Sequence, residues 1–151
     1  MTKTVSIALS LVSAAAAFTS MPAAAHHSFA MYDMEKSTTV TGKITRFIPG
    51  PNHAQILFAL VDENGNEIVN DRGDLIIWGI ESGPAVQIAR QGVTVKHFTE
   101  GTIVTAVLHP LRDGRNFGAL ADEGIIHCGM VMPAGGCNID TGEAFLRRVS
   151  Q

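Results

Sequence analysis

Apolar and polar positions alternate across residues 38–47: Val40, Gly42 and Ile44 fall on one parity, and Thr39, Thr41, Lys43 and Thr45 on the other. A period of two among β-branched residues predicts a strand with one buried face. Residues 49–53, PGPNH, interrupt it. Residues 54–61, AQILFALV, are apolar on both parities, which predicts a central strand with little exposure. Asn64 and Gly65 then predict a hairpin turn, because both residues tolerate positive φ. A second long strand follows, clearest over residues 75–81, with residues 70–74 bending or bulging the pair. SGPAVQIARQG predicts one helix, with Ser82 as its cap, Pro84 in the first turn and Gly92 past the last. Residues 101–110 predict another strand, Asp113-Gly114 a turn, and residues 117–132 a final bulged strand or pair of strands.

Three strands, a short helix and two strands in that order give an all-β protein with one short helix. The same order is that of a small OB-like five-stranded barrel, a partly open Greek-key closure. Residues 38–128 form this barrel, with 26–37 an N-terminal arm and 129–151 a C-terminal tail.

The residues before the arm set the compartment. Lys3, a small and apolar run over residues 5–18, and Ala23, Ala24 and Ala25 as an A-x-A site make residues 1–25 a signal peptide. A membrane span needs about 20 apolar residues, and this run is shorter and broken by Ser10, Ser13, Thr19, Ser20 and Pro22. The expected location is periplasmic or secreted, without stable membrane insertion once the signal is removed. Removal takes one of the 11 basic residues and none of the 14 acidic ones, leaving a net charge of −4 with His neutral. Affinity for nucleic acid comes mainly from neutralising phosphates, so a mildly acidic chain without a basic run excludes it as a partner. Cys128 and Cys137 are the only cysteines. An even count at close spacing in an oxidising compartment predicts a disulfide, the alternative being two thiols.

HHSFAMYD directly after a signal peptide, a TGKITRF strand, a Pro/Asn/His turn, a strand carrying WGIE, a helix ending in RQG, and HPLRDG together resemble a family of small exported bacterial proteins classed as a domain of unknown function. The likeness runs from His26 to about Leu120, and the opening octapeptide is its specific part. It implies export and a small OB-like barrel, with no established activity. The chain departs from the family pattern in reading Pro51-Asn52-His53 where Asn-Pro-His is usual, and in its Cys/Met-rich tail.

Cleavage after Ala25 makes His26 the terminal residue, which then offers an α-amine and an imidazole in chelating reach. Nitrogen donors in tetragonal geometry suit Cu(II), so copper is the candidate cofactor. His27, or His53, His109 or His127 of the barrel, would supply a third nitrogen. Cleavage after Ala24 would instead put His27 third, in an amine, amide and imidazole site. Against this stands the plainer reading of surface histidines with incidental affinity. Phe29, Met31 and Tyr32 read as a staple holding the arm to the barrel. His127, Cys128, Met130 and Met132 form a second cluster, the last three on one strand face by period two, where soft sulfur ligands would suit Cu(I). An acid/base set can be assembled from Glu81, Asp113, His53 and His109, yet no spacing demands it. No nucleophile elbow or phosphate-cradling loop occurs, so binding is expected rather than catalysis. The alternative to a copper site is an OB-like binding module for an unknown small ligand, glycan or protein partner.

Overall fold

Strand β1, Thr38–Ile48, carries the expected alternation, with Val40, Gly42 and Ile44 buried. It is the hub of the computed structural model, which describes residues 26–147. β1 pairs antiparallel with β2, Gln55–Leu60, and with β4, Ile103–Pro110. β2 pairs antiparallel with β3, Ile77–Glu81, so it is the central strand its two-sided apolarity predicts. β4 pairs antiparallel with β5, Phe117–His127. Gly79, Ile80 and Glu81 of β3 then lie parallel to Phe117, Gly118 and Ala119 of β5, and this seam closes the barrel. The order β3-β2-β1-β4-β5 with β3 returning to β5 is the expected OB-like closure. Ile44, Ile56, Phe58, Ile80, Leu108 and Ile125 fill the interior, each at most 1% exposed.

The turns follow their local chemistry. Gly65 has φ +81°, and the Asp62 carboxylate accepts from the backbone N–H groups of Asn64 and Asn66. Residues 70–74 make a second turn of the same kind, where the Asn70 side-chain carbonyl accepts from the N–H groups of Arg72 and Asp74.

Helix α1, Ala85–Arg90, ends as expected, with the Gly92 N–H bonded to the Ala89 carbonyl. Its start differs from expectation. Pro84 occupies the cap position without a side-chain bond, and Ser82 bonds the Ala54 carbonyl through both its N–H, at 2.9 Å, and its hydroxyl, at 3.4 Å. Ser82 therefore extends the β2–β3 pairing, and it stands too early to reach the first helical N–H groups. A 3-10 turn, Val95–Phe98, then brings Phe98 against Phe47, ring centroids 4.7 Å apart.

β5 is bulged, as its sequence predicts: its register against β4 jumps between Ala106 and Leu108, whose partners are Ile125 and Leu120. It stops at His127, and Gly129, at φ +78°, turns the chain away. The expected strand face of Cys128, Met130 and Met132 is therefore not formed. Cys128 is instead joined to Cys137, with an S–S distance of 2.12 Å and Cα atoms 5.7 Å apart. The chain after the disulfide returns to the barrel. The Thr105 hydroxyl donates to the Cys137 carbonyl, β6, Glu143–Phe145, pairs antiparallel with β5, and Leu146 enters the core.

The arm also lies on the barrel. A 3-10 turn, His26–Met31, leads to a bridge between Tyr32 and Leu111. The Arg112 N–H donates to the Met31 carbonyl and the Asp33 N–H to the Pro110 carbonyl. Of the three residues expected to staple the arm, only Tyr32 does so: it is 1% exposed, whereas Phe29 and Met31 are about half exposed. Among the described residues no helix is long and apolar enough to cross a membrane.

Candidate functional site

Where β2 begins, β3 ends and β5 begins, the outer face of the barrel carries Gln55 opposite Glu81, and Phe117 opposite Gly79. The Phe117 ring lies against Gly79, where any Cβ would collide with it, so glycine there lets an aromatic surface settle on the sheet. Two connections flank this face. Residues 49–54, between β1 and β2, supply His53, and residues 111–116, between β4 and β5, supply Leu111 and Arg115. The arm adds Met31 and Tyr32. The result is an open cleft of about 280 Å³ lined by Met31, Tyr32, Gln55, Glu81, Leu111, Arg115 and Phe117.

Its charges are mostly matched. The Asp113 carboxylate accepts from the Arg115 Nε at 2.8 Å and from its backbone N–H at 3.1 Å. His53 Nδ1 stands 3.3 Å from Glu81 Oε1. Asp33 pairs with Lys36 within the arm at 3.0 Å and lies 3.7 Å from Arg112 of the barrel. The hydrogen bond from Lys36, the larger cause, and the charges of Lys36 and Arg112 keep the Asp33 carboxyl below the usual carboxylate range.

Tyr32 is the exception. Its hydroxyl is buried and, among the described residues, is the one buried side-chain N or O atom with no partner within 3.5 Å, although the Glu81 carboxylate lies close enough to act on it. Burial, and after it the negative charge of Glu81 and the hydrogen bond it accepts from the phenol, push its pKa up to about 12. Buried polar groups are nearly always bonded, and a native exception calls for an explanation. A carboxylate, an amide, a guanidinium and an aromatic face around one open cleft make a recognition surface for a small polar molecule.

The histidines singled out in the sequence are spread over the barrel. His53 reaches the edge of the cleft through Glu81. His109 Nδ1 donates to the Lys36 carbonyl at 2.8 Å and so ties down the arm. His127 packs edge-on against Phe145, ring centroids 6.0 Å apart. Among the described residues no three His, Cys, Asp or Glu side chains gather as a metal site. His26 and His27 begin the 3-10 turn that ends at Met31, but their side chains, and the expected signal peptide with its cleavage site, lie outside the described residues. Of the acid/base set, Glu81 and His53 meet, Asp113 pairs only with Arg115 of its own loop, and His109 bonds the arm. Sequence reasoning missed Gln55, Arg115 and Phe117 and gave Tyr32 only a packing role. The available signal was the position of the sole tyrosine within the octapeptide HHSFAMYD.

The chain belongs to a family of unknown function, DUF6152, whose model matches residues 14–120. The match ends within β5, before the disulfide and β6. No curated protein and no solved structure matches the chain.

Proposed function

We propose that this member of the DUF6152 family is an exported binding module that holds a small polar ligand in the cleft between Tyr32, Glu81 and Phe117. The observation that carries the reading is the open cleft itself, where the Glu81 carboxylate, the Gln55 amide and the Phe117 ring laid on Gly79 face one space. The position agrees with the way OB barrels use their strand 2–3 face and the flanking loops, which is support by analogy of fold only. Export rests on the pattern of residues 1–25, and the Cys128–Cys137 disulfide is compatible with it. The test is an amide-proton NMR spectrum of the mature protein titrated with a library of small polar fragments. Shifts at Gln55, Glu81, Leu111 and Phe117 are expected. Shifts confined to other surfaces, or none with any fragment, would overturn the reading.

A second reading is favoured by the anchoring of the arm: the turn that begins with His26 and His27 ends at Met31, which lines the same cleft. In this reading the mature N-terminus binds Cu(II) through the His26 α-amine and imidazole, with His27 or His53 as a third donor. Adding one residue other than Ala before His26 removes the amine-plus-imidazole chelate and keeps every imidazole. Calorimetry should then show copper affinity at least tenfold weaker; equal affinity would remove the N-terminal site.

A further inference from the structure

The chain between β2 and β3 carries an exposed apolar face that the rest of the fold does not cover. Val69 and Leu75 are bridge partners, so their side chains stand on one side, and Ile77 follows Leu75 on that side by the period of two. Val69 is 51% exposed, Leu75 41% and Ile77 38%. Single exposed apolar residues are ordinary, whereas contiguous ones mark a contact surface. The two turns of this segment are held by their own hydrogen bonds, through Asp62 and Asn70, so the face is presented in a fixed shape. A partner need not spend binding energy on ordering it.

Charge selects what can cover it. Residues 61–77 hold five carboxylates, Asp62, Glu63, Glu67, Asp71 and Asp74, against one cation, Arg72, a net charge of −4 where the whole chain carries −3. The excess negative charge of the protein is thus concentrated on this segment. Among the described residues none of the five carboxylates is in an ion pair. A second copy would bring the same charge to the contact and be repelled, as would nucleic acid or an anionic membrane surface. A bare polyamine would match the carboxylates and leave the three apolar side chains in water. A peptide segment with apolar residues along one side and Lys or Arg beside them satisfies both.

We propose that residues 61–77 form a docking surface for a cationic amphipathic segment of a partner protein, its apolar side chains on Val69, Leu75 and Ile77 and its cations toward the surrounding carboxylates. This surface lies at the opposite end of β3 from Glu81 and the cleft and is a separate site. The test is the fluorescence anisotropy of a short labelled Leu/Lys amphipathic peptide titrated with the protein, beside Leu/Glu and all-Lys peptides. The Leu/Lys peptide should bind at least tenfold more tightly than either control. Val69→Ser with Leu75→Ser should weaken it at least tenfold, and because both side chains are exposed the amide spectrum of the barrel should be kept. Glu67→Gln with Asp71→Asn, which leaves Asp62 and Asn70 to hold the turns, should weaken binding and reduce its dependence on salt. Equal binding of the all-Lys peptide would leave only a charge effect, and equal binding of the Leu/Glu peptide only an apolar one; either overturns the proposal. So would binding that both paired variants leave unchanged, or no binding at all. A dimer that Val69→Ser with Leu75→Ser dissolves would also overturn it, by making a second copy the occupant.

Discussion

Tyr32 is the only tyrosine of the chain, so its chemistry can be read without interference. Its pKa in the folded protein is raised to about 12 from an ordinary value of 10.0, with burial the larger cause and Glu81 the smaller. Tyrosinate absorbance of the folded protein should therefore rise with a midpoint near 12, and Glu81→Gln should move the midpoint down part of the way; a midpoint near 10 would mean an exposed phenol. The link to stability has a definite sign. A raised pKa means that the folded state holds its proton longer than the unfolded chain, so this contribution is complete below pH 10 and is lost as pH rises towards 12. Tyr32→Phe removes a buried hydroxyl with no partner within 3.5 Å and keeps the ring, so stability in denaturant should stay level or rise, by about 1 kcal/mol. A loss of similar size would show that the hydroxyl is bonded in solution. At this scale little was legible in the sequence. Paired histidines draw attention because imidazole is a familiar ligand, whereas a buried phenol beside Glu81 exists only once Tyr32 has been covered by Leu111, 79 positions away.

Strands were far more legible than sites, because alternation is a local property: Val40, Gly42 and Ile44 announce their buried face without knowledge of the partner strand. The elements that departed from expectation were those decided by distant contacts. Ser82 looks like a cap until Ala54 takes its N–H and hydroxyl. Cys128, Met130 and Met132 look like a strand face until the disulfide and the Gly129 turn redirect the chain. At three residues, β6 is too short to carry a period, and its pairing depends on β5. Gly124, in the bulge of β5, has φ +77°, and a Cβ there would meet the Phe145 carbonyl and the Arg147 N–H. Gly124→Ala should cost about 1–3 kcal/mol by strain alone, visible as a lower denaturant midpoint; an unchanged midpoint would show that β6 is not held against β5. Replacing Cys128 and Cys137 together by Ala should cost about 3 kcal/mol or less for so short a loop. The far-UV spectrum should persist while the β6 amides exchange faster, and loss of the whole spectrum would mean that the barrel cannot close without the bridge.

The order of elements was enough to indicate the barrel, because a helix between the third and fourth of five strands leaves few ways to close a small sheet. The cleft was not legible, since it joins Tyr32, Gln55, Glu81 and Arg115, which meet only after β3 has paired with β5. Fold class alone would suggest single-stranded nucleic acid, which such barrels bind with basic grooves and exposed aromatic platforms. Charge and packing point the other way. The chain has a net charge of −3 with His neutral, Arg115 is paired with Asp113 and Arg112 lies near Asp33, and Trp78 packs against the core. Binding to phosphates must be supplied by unmatched cations that release counterions. A labelled oligothymidine of roughly 15 nucleotides, long enough for one such fold, should therefore show flat anisotropy with the mature protein even at about 50 mM salt, where electrostatic binding is strong. A rise that disappears as salt is added would show that Arg112 and Arg115 are released from their carboxylates in solution. The cleft would then be an anion groove rather than a site for a small polar ligand.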